Sequence, residues 1–165
     1  MTYSNGNIYK GQWVDGKRHG ECVYTFASGN RYEGHFENGN MCGYGEMTYS
    51  SGNVYKGEWL NNKKHGKGTY IAPKAGQFDA TFQEGHTVGE GEWHYLDGRH
   101  YLGQTRNGVH EGYGVMDYPD GSRYEGQWKD DKRCGSGKLT LADGTVLEGL
   151  FEEDTFVGEM PKNET

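Results

Sequence analysis

The sequence predicts an all-β fold: an elongated antiparallel ribbon built from tandem β-hairpins. Three observations carry this. First, a 23-residue period runs through the chain, with repeats beginning at Tyr9, Tyr32, Tyr55, Phe78, Tyr101 and Tyr124 and a partial repeat at Leu147. A fixed period of this length is the signature of a repeat architecture. Second, each repeat opens on aromatic, glycine, aromatic at every second position, as in Tyr55-Lys56-Gly57-Glu58-Trp59. Period-two alternation puts all three on one face of a strand. Third, turn chemistry recurs at fixed places, as in Tyr118-Pro119-Asp120-Gly121, Leu96-Asp97-Gly98 and Ala142-Asp143-Gly144. Pro, Asp and Gly stand there where a type I turn with a left-handed glycine wants them.

The first eight residues, MTYSNGNI, match MTYSSGNV at 47–54, so the chain starts inside a repeat, as a fragment or accessory domain of a larger chain would. Within a repeat the first strand carries the opening alternation. A second strand follows thirteen positions on, as in Gly45-Glu46-Met47-Thr48-Tyr49. The link between them, as in Asp15-Gly16-Lys17-Arg18-His19-Gly20, reads as a longer loop with glycine at both ends. Neither link can hold a crossover helix, so neighbours are antiparallel. About thirteen strands at roughly 4.8 Å make a ribbon on the order of 60 Å long. Glycine inside strands normally weakens them. Here each faces the aromatic side and reads as a slot over which a ring lies flat.

Leu, Ile, Val and Phe make up well under a fifth of the chain, a level usually linked to disorder. The thirteen Tyr and four Trp, held at fixed repeat positions, point to an ordered, distributed aromatic core instead. A net charge of −7 argues against nucleic acid as a partner. No apolar run reaches membrane-spanning length. Three scattered cysteines (Cys22, Cys42, Cys134) and an N-terminus without a signal-like segment read as a reduced, cytoplasmic protein.

The frame Tyr-x-Gly-x-Trp-x-x-Gly-x-x-x-Gly-x-Gly, with later glycines at Gly16, Gly20, Gly43, Gly45, Gly66, Gly68, Gly112 and Gly114, resembles the membrane occupation and recognition nexus (MORN) repeat over essentially the whole chain. The resemblance implies a single-layered, twisted antiparallel sheet and a scaffold or targeting role in cytoskeletal, ciliary or membrane-contact assemblies. It carries no catalytic residues and no cofactor. Ala80 for glycine, Thr105 for an aromatic, and Ala72-Pro73-Lys74-Ala75-Gly76 depart from the frame and mark an irregular middle, expected to bend most between about 72 and 106. Asn62, Asp131 and Asp154 replace a turn glycine, a mild change.

Three candidate sites follow. The aromatic face (Tyr9, Trp13, Tyr32, Phe36, Tyr55, Trp59, Phe78, Phe82, Tyr101, Tyr124, Trp128) is expected to leave ring surface open for a helical or extended protein segment or a second copy of the chain. The basic tips Lys17-Arg18, Lys63-Lys64 and Lys132-Arg133 are the alternative, a row for anionic or phosphoinositide headgroups diluted by acidic neighbours. His94 and His100 flank the Asp97-Gly98 turn and could face each other across the hairpin. With no third ligand evident, they read as surface histidines and no metal is expected. No nucleophile, base and acid set or phosphate loop stands outside the repeat frame, so the reading is non-enzymatic.

Overall fold

The structure is a computed structural model and describes residues 1–159. Fourteen strands, antiparallel wherever pairing is defined, follow chain order in the sheet, and the described residues contain no helix. By compactness the chain divides into two bodies, Met1–His86 and Thr87 onward, and the division falls inside the irregular middle.

The first body holds β1 (Ile8–Val14), β2 (Lys17–Thr25), β3 (Arg31–Glu37), β4 (Asn40–Thr48), β5 (Val54–Leu60), β6 (Lys63–Ala72) and β7 (Gly76–Gln83). The second holds β8 (His86–Tyr95), β9 (His100–Arg106), β10 (Val109–Asp117), β11 (Arg123–Lys129), β12 (Lys132–Thr140), β13 (Val146–Glu152) and β14 (Thr155–Gly158), His86 itself lying at the boundary.

Two kinds of turn alternate. Phe26–Asn30 is typical of the first: Gly29 N–H donates to Phe26 O at 2.9 Å, and Gly29 takes φ 88°. The second corrects the expected longer loop. Asp15 and Gly16 (φ 47° and 72°) form a two-residue turn, and Lys17 is already in β2. Asn61-Asn62 and Asp130-Asp131 do the same, with both residues at positive φ. A hairpin turn of this type demands positive φ at both central residues, which Asn, Asp and Gly accept. Gly20, Gly43, Gly66 and Gly135, expected to end a loop, instead take positive φ inside strands, where the pairing on the turn side shifts register.

The turns also tie one repeat to the next. Asn62 N–H donates to Met41 O at 3.1 Å, and Asn62 Oδ1 accepts from Met41 N–H at 2.8 Å. Asp131 and His110 repeat the exchange. Asn and Asp in place of glycine therefore add a side-chain acceptor. Pro73 lies in the turn between β6 and β7, outside the ladder that its missing N–H would break.

Candidate partner-binding surface

The opening tyrosine of each repeat lies over glycine. A Cβ on Gly34 would stand 2.6 Å from Tyr32 Oη and 2.7 Å from Gly45 Cα across the pair. Gly57, beside Gly68 and Tyr55, is equally closed, and so is Gly126, beside Gly137 and Tyr124. At these three pairs, bare Cα atoms on both strands let the phenol ring lie close to the backbone, whereas the first slot pairs Gly11 with Cys22. Each hydroxyl then reaches a carbonyl at the register shift: Tyr9 to Gln12 O at 2.7 Å, Tyr55 to Glu58 O at 3.1 Å, Tyr101 to Gln104 O at 2.8 Å. This satisfies a polar group whose ring is fully buried, and it is the reason for tyrosine rather than phenylalanine. Burial raises the hydroxyl pKa at Tyr32, Tyr55 and Tyr101, and takes Tyr124 to about 12.

The aromatic two strand-steps later wedges between successive tyrosines. Phe36 meets Tyr9 and Tyr32 edge-on at 5.8 and 5.7 Å, and Trp59 meets Tyr32 and Tyr55 at 5.4 and 5.3 Å. Trp128 meets Tyr101 and Tyr124 in the same way. These are the T-shaped contacts that ring quadrupoles favour. Trp59 and Trp128 each donate Nε1–H to a slot glycine carbonyl, Gly45 O and Gly114 O, at 3.2 Å.

This packing corrects the expectation of open ring surface. Tyr9, Tyr32, Phe36, Tyr55, Trp59, Phe82, Tyr101, Tyr124 and Trp128 are all buried. Phe78 is half-buried. Trp13 alone of the named rings is exposed, at 43%, with Tyr9 as its ring neighbour.

The cover over the rings comes from residues expected to serve as headgroup ligands. Because β2, β6 and β12 begin immediately after their turns, alternation sends Lys17, Lys63 and Lys132 outward and Arg18, Lys64 and Arg133 onto the rings. Arg18 lies 4.6 Å over Phe36, Lys64 4.6 Å over Tyr70 and 4.8 Å over Tyr55, and Arg133 5.6 Å over Tyr124. Burial lowers the Lys64 pKa. Arg18 also donates to Gly39 O, and Arg133 pairs with Asp154. Of the outward lysines, Lys63 pairs with Glu84 at 2.6 Å and Lys132 with Glu153. The basic row is thus largely engaged within the protein.

Over Tyr101, in the second body, the covering residue is His110. Its ring stacks on Tyr101 at 3.7 Å and meets Trp93 and Trp128 edge-on, and Nε2 lies 3.0 Å from Tyr95 Oη. Burial pushes its pKa down to about 4, against an opposing pull from Asp131. His110 and Trp93 fill the space that Thr105 leaves, so Trp128 keeps its ring contacts. Thr105 is buried, bonded to Val109 O at 3.0 Å and 3.3 Å from the Thr87 hydroxyl. Tyr101, expected to be exposed beside this gap, is buried.

Sequence reasoning missed two features. First, the outer face exposes Tyr44 and Leu60 in the first body and Leu102 and Tyr113 in the second. Tyr44 and Tyr113 share one repeat position that holds Glu21, Lys67, Glu90 and Ser136 elsewhere, and that contrast was visible in the sequence. Second, His94 and His100 do stack, with centroids 4.7 Å apart, but Glu92 joins them as a third group. Cys22, half of the first slot in place of glycine, is buried with its thiol pushed up to about 12, which makes it a poor nucleophile.

Fold and site together define a tandem hairpin-repeat protein whose core is a ladder of tyrosines seated on glycines. The MORN repeat model matches residues 9–31, 32–54, 55–77, 101–123 and 124–146, and the chain belongs to this family. The window 78–100, carrying Ala80, falls between matches. The matched family is a repeat family, and no enzyme family is indicated. No curated relative matches the chain. Among solved structures, the wild-type TCP10 domain of Danio rerio CPAP in complex with a peptide of Danio rerio STIL is similar at 12% identity and a TM-score of 0.46, covering 91% of this chain and 77% of that one. The G-box domain of the microcephaly protein CPAP is similar at 15% identity and a TM-score of 0.38, covering 92% and 97%. No helix among the described residues is long and apolar enough to cross a membrane.

Proposed function

We propose that the chain is a non-enzymatic scaffold that binds a helical or extended segment of a protein partner on the aromatic side of its sheet, within a cytoskeletal or membrane-apposed assembly. The observation that carries this reading is Trp13. It wedges against Tyr9 alone, where Trp59 and Trp128 each wedge between two tyrosines, so it is exposed where they are buried, and it pairs across the strands with Arg18. Accessible Trp and Arg are the residue types that anchor protein interfaces. The half-buried Phe78 and the Lys64 cover extend the same face within the first body. The buried tyrosines form its floor and act through the rings above them. Self-association through unpaired strand edges is a second mode of the same module.

Affinity capture on the immobilised chain, read by quantitative mass spectrometry, tests this. Partners retained by the native chain should be lost with Trp13→Ala and kept with Tyr44→Ala on the outer face. The reverse pattern would move the interface to the outer face. Salt-sensitive sedimentation with anionic vesicles, abolished by Lys17→Ala, would favour the headgroup reading instead.

A further inference from the structure

The outer face of the β8–β9 hairpin carries a side-chain cluster that the ring ladder does not use. Trp93 and Tyr101 pair across the strands and point inward, so their neighbours point out. His94 stands directly opposite His100, and Glu92 lies two residues before His94 on the same side. The turn from Tyr95 to Arg99 is closed by Tyr95 N–H to Arg99 O at 2.9 Å and Gly98 N–H to Tyr95 O at 3.1 Å, so the backbones bearing these groups are already fixed.

Two imidazole nitrogens converge on one carboxylate oxygen. Glu92 Oε1 is 2.8 Å from His100 Nε2 and 3.4 Å from His94 Nε2, and the three ligand atoms lie within 4.8 Å of one another. A tetrahedral zinc ion with ligands at about 2.1 Å holds them roughly 3.4 Å apart. The cluster therefore needs only small side-chain rotations to close around a metal. Asp117, paired with His100 across β9 and β10, places Oδ2 3.8 Å from His100 Nδ1. A carboxylate behind the non-ligating nitrogen is the usual outer support of a metal-bound histidine, because it fixes the tautomer that leaves Nε2 free.

No other complete repeat carries this set. The positions equivalent to 92, 94 and 100 hold Val23, Thr25 and Arg31, or Glu46, Thr48 and Val54, or Lys138, Thr140 and Val146. The set also falls in the one complete window that the family model passes over. Surface pairing alone would be met by Thr and Arg, as elsewhere in the chain. Two histidines around one carboxylate are a ligand set for a borderline divalent ion.

We propose that Glu92, His94 and His100 bind a divalent transition metal of the zinc type on the outer face of the second body, with Asp117 positioning His100. Three protein ligands leave one tetrahedral position for water. The ion cross-links β8 to β9 and so stabilises the hairpin.

Zinc titration of the metal-free full chain by calorimetry, paired with melting curves, is the test. The native chain should take up one zinc, with a melting temperature that climbs with zinc concentration. His94→Ala and His100→Ala should each abolish both effects. Asp117→Asn should weaken binding roughly tenfold or more. His86→Ala, at an exposed histidine outside the cluster, should change neither. Far-UV circular dichroism establishes that each variant is folded, and Glu92→Gln is the substitute where an alanine variant is not. Absence of binding to the native chain at submillimolar zinc, or binding that survives the His94, His100 or Glu92 substitutions, overturns the proposal.

Discussion

Lys64 and His110 occupy the same place in the repeat and cover the same kind of buried tyrosine, with opposite electrostatics. Lys64 lies over Tyr49, Tyr55, Tyr70 and Phe82 as a cation. It keeps the full ring column beneath it, with Trp59 and Phe82 both against Tyr55. His110 lies flat on Tyr101 and is held neutral by burial. Its column lacks the wedge aromatic, since Thr105 stands in that place. Where the wedge is present, the cover can be a flexible cation over ring faces. Where it is absent, the cover must itself be a ring. The irregular region is thus a second solution to the same packing problem, and its price is a titratable group inside the core.

The largest effect should be common to both regions. Gly57→Val and Gly126→Val place a branched side chain against Gly68 Cα and Gly137 Cα, each 2.6 Å from the new Cβ. Backbone cannot yield as a side-chain tip does, so each should cost about 3 kcal/mol or more. Glu58→Val, one residue along on the outer face, should cost far less. Equal urea midpoints for Gly57→Val and Glu58→Val would end the account of glycines as ring slots.

Next comes the cover itself. His110→Ala removes a stacked ring from among Tyr101, Trp93 and Trp128 and should cost about 2–4 kcal/mol. Lys64→Ala removes a cation over rings and should cost about 0.5–2 kcal/mol. If Lys64→Ala proves the more damaging in urea melts, the ranking of ring over cation is wrong.

Acid should separate the two bodies. His110 binds a proton near pH 6.5 when unfolded and only at about pH 4 when folded. Between those values the unfolded state holds more protons, so stability falls as pH drops through this window and levels off below it. The loss amounts to at most about 3 kcal/mol. Hydrogen exchange should show second-body amides opening more readily at pH 5 than at pH 7.5, relative to first-body amides. His110→Gln should remove the difference. A pH response that persists in His110→Gln assigns it to another group.

A double substitution tests the exchange of wedge for cover. Thr105→Trp alone should destabilise by about 1–3 kcal/mol, because His110 already fills the space. Combined with His110→Ala, the same tryptophan should recover stability, giving a favourable coupling in a double-mutant cycle. Additive losses would show that the two residues do not share one cavity.

Much of this was legible in the chain. The period, the strand alternation, the glycine slots and the Asp97-Gly98, Asp120-Gly121 and Asp143-Gly144 turns each follow from residue types with strong local preferences. The tight second turn was present in Asp15-Gly16 and Asn61-Asn62, but Lys17-Arg18-His19 looked like loop because charged residues are rarely expected to turn inward. That one misreading of turn length moved Arg18, Lys64 and Arg133 from the inner face to a projecting edge. Glu92 was passed over beside His94 and His100 because its approach depends on a diagonal across two strands.

The sequence by itself determined the hairpin repeat, since alternation, positive-φ turns and glycine slots are local demands that each repeat states anew. The tertiary structure decided which rings remain exposed, what covers the others, and that three polar side chains of one hairpin meet. Those outcomes depend on register across strands and on side chains from neighbouring repeats competing for the same space, and neither is encoded within any single repeat.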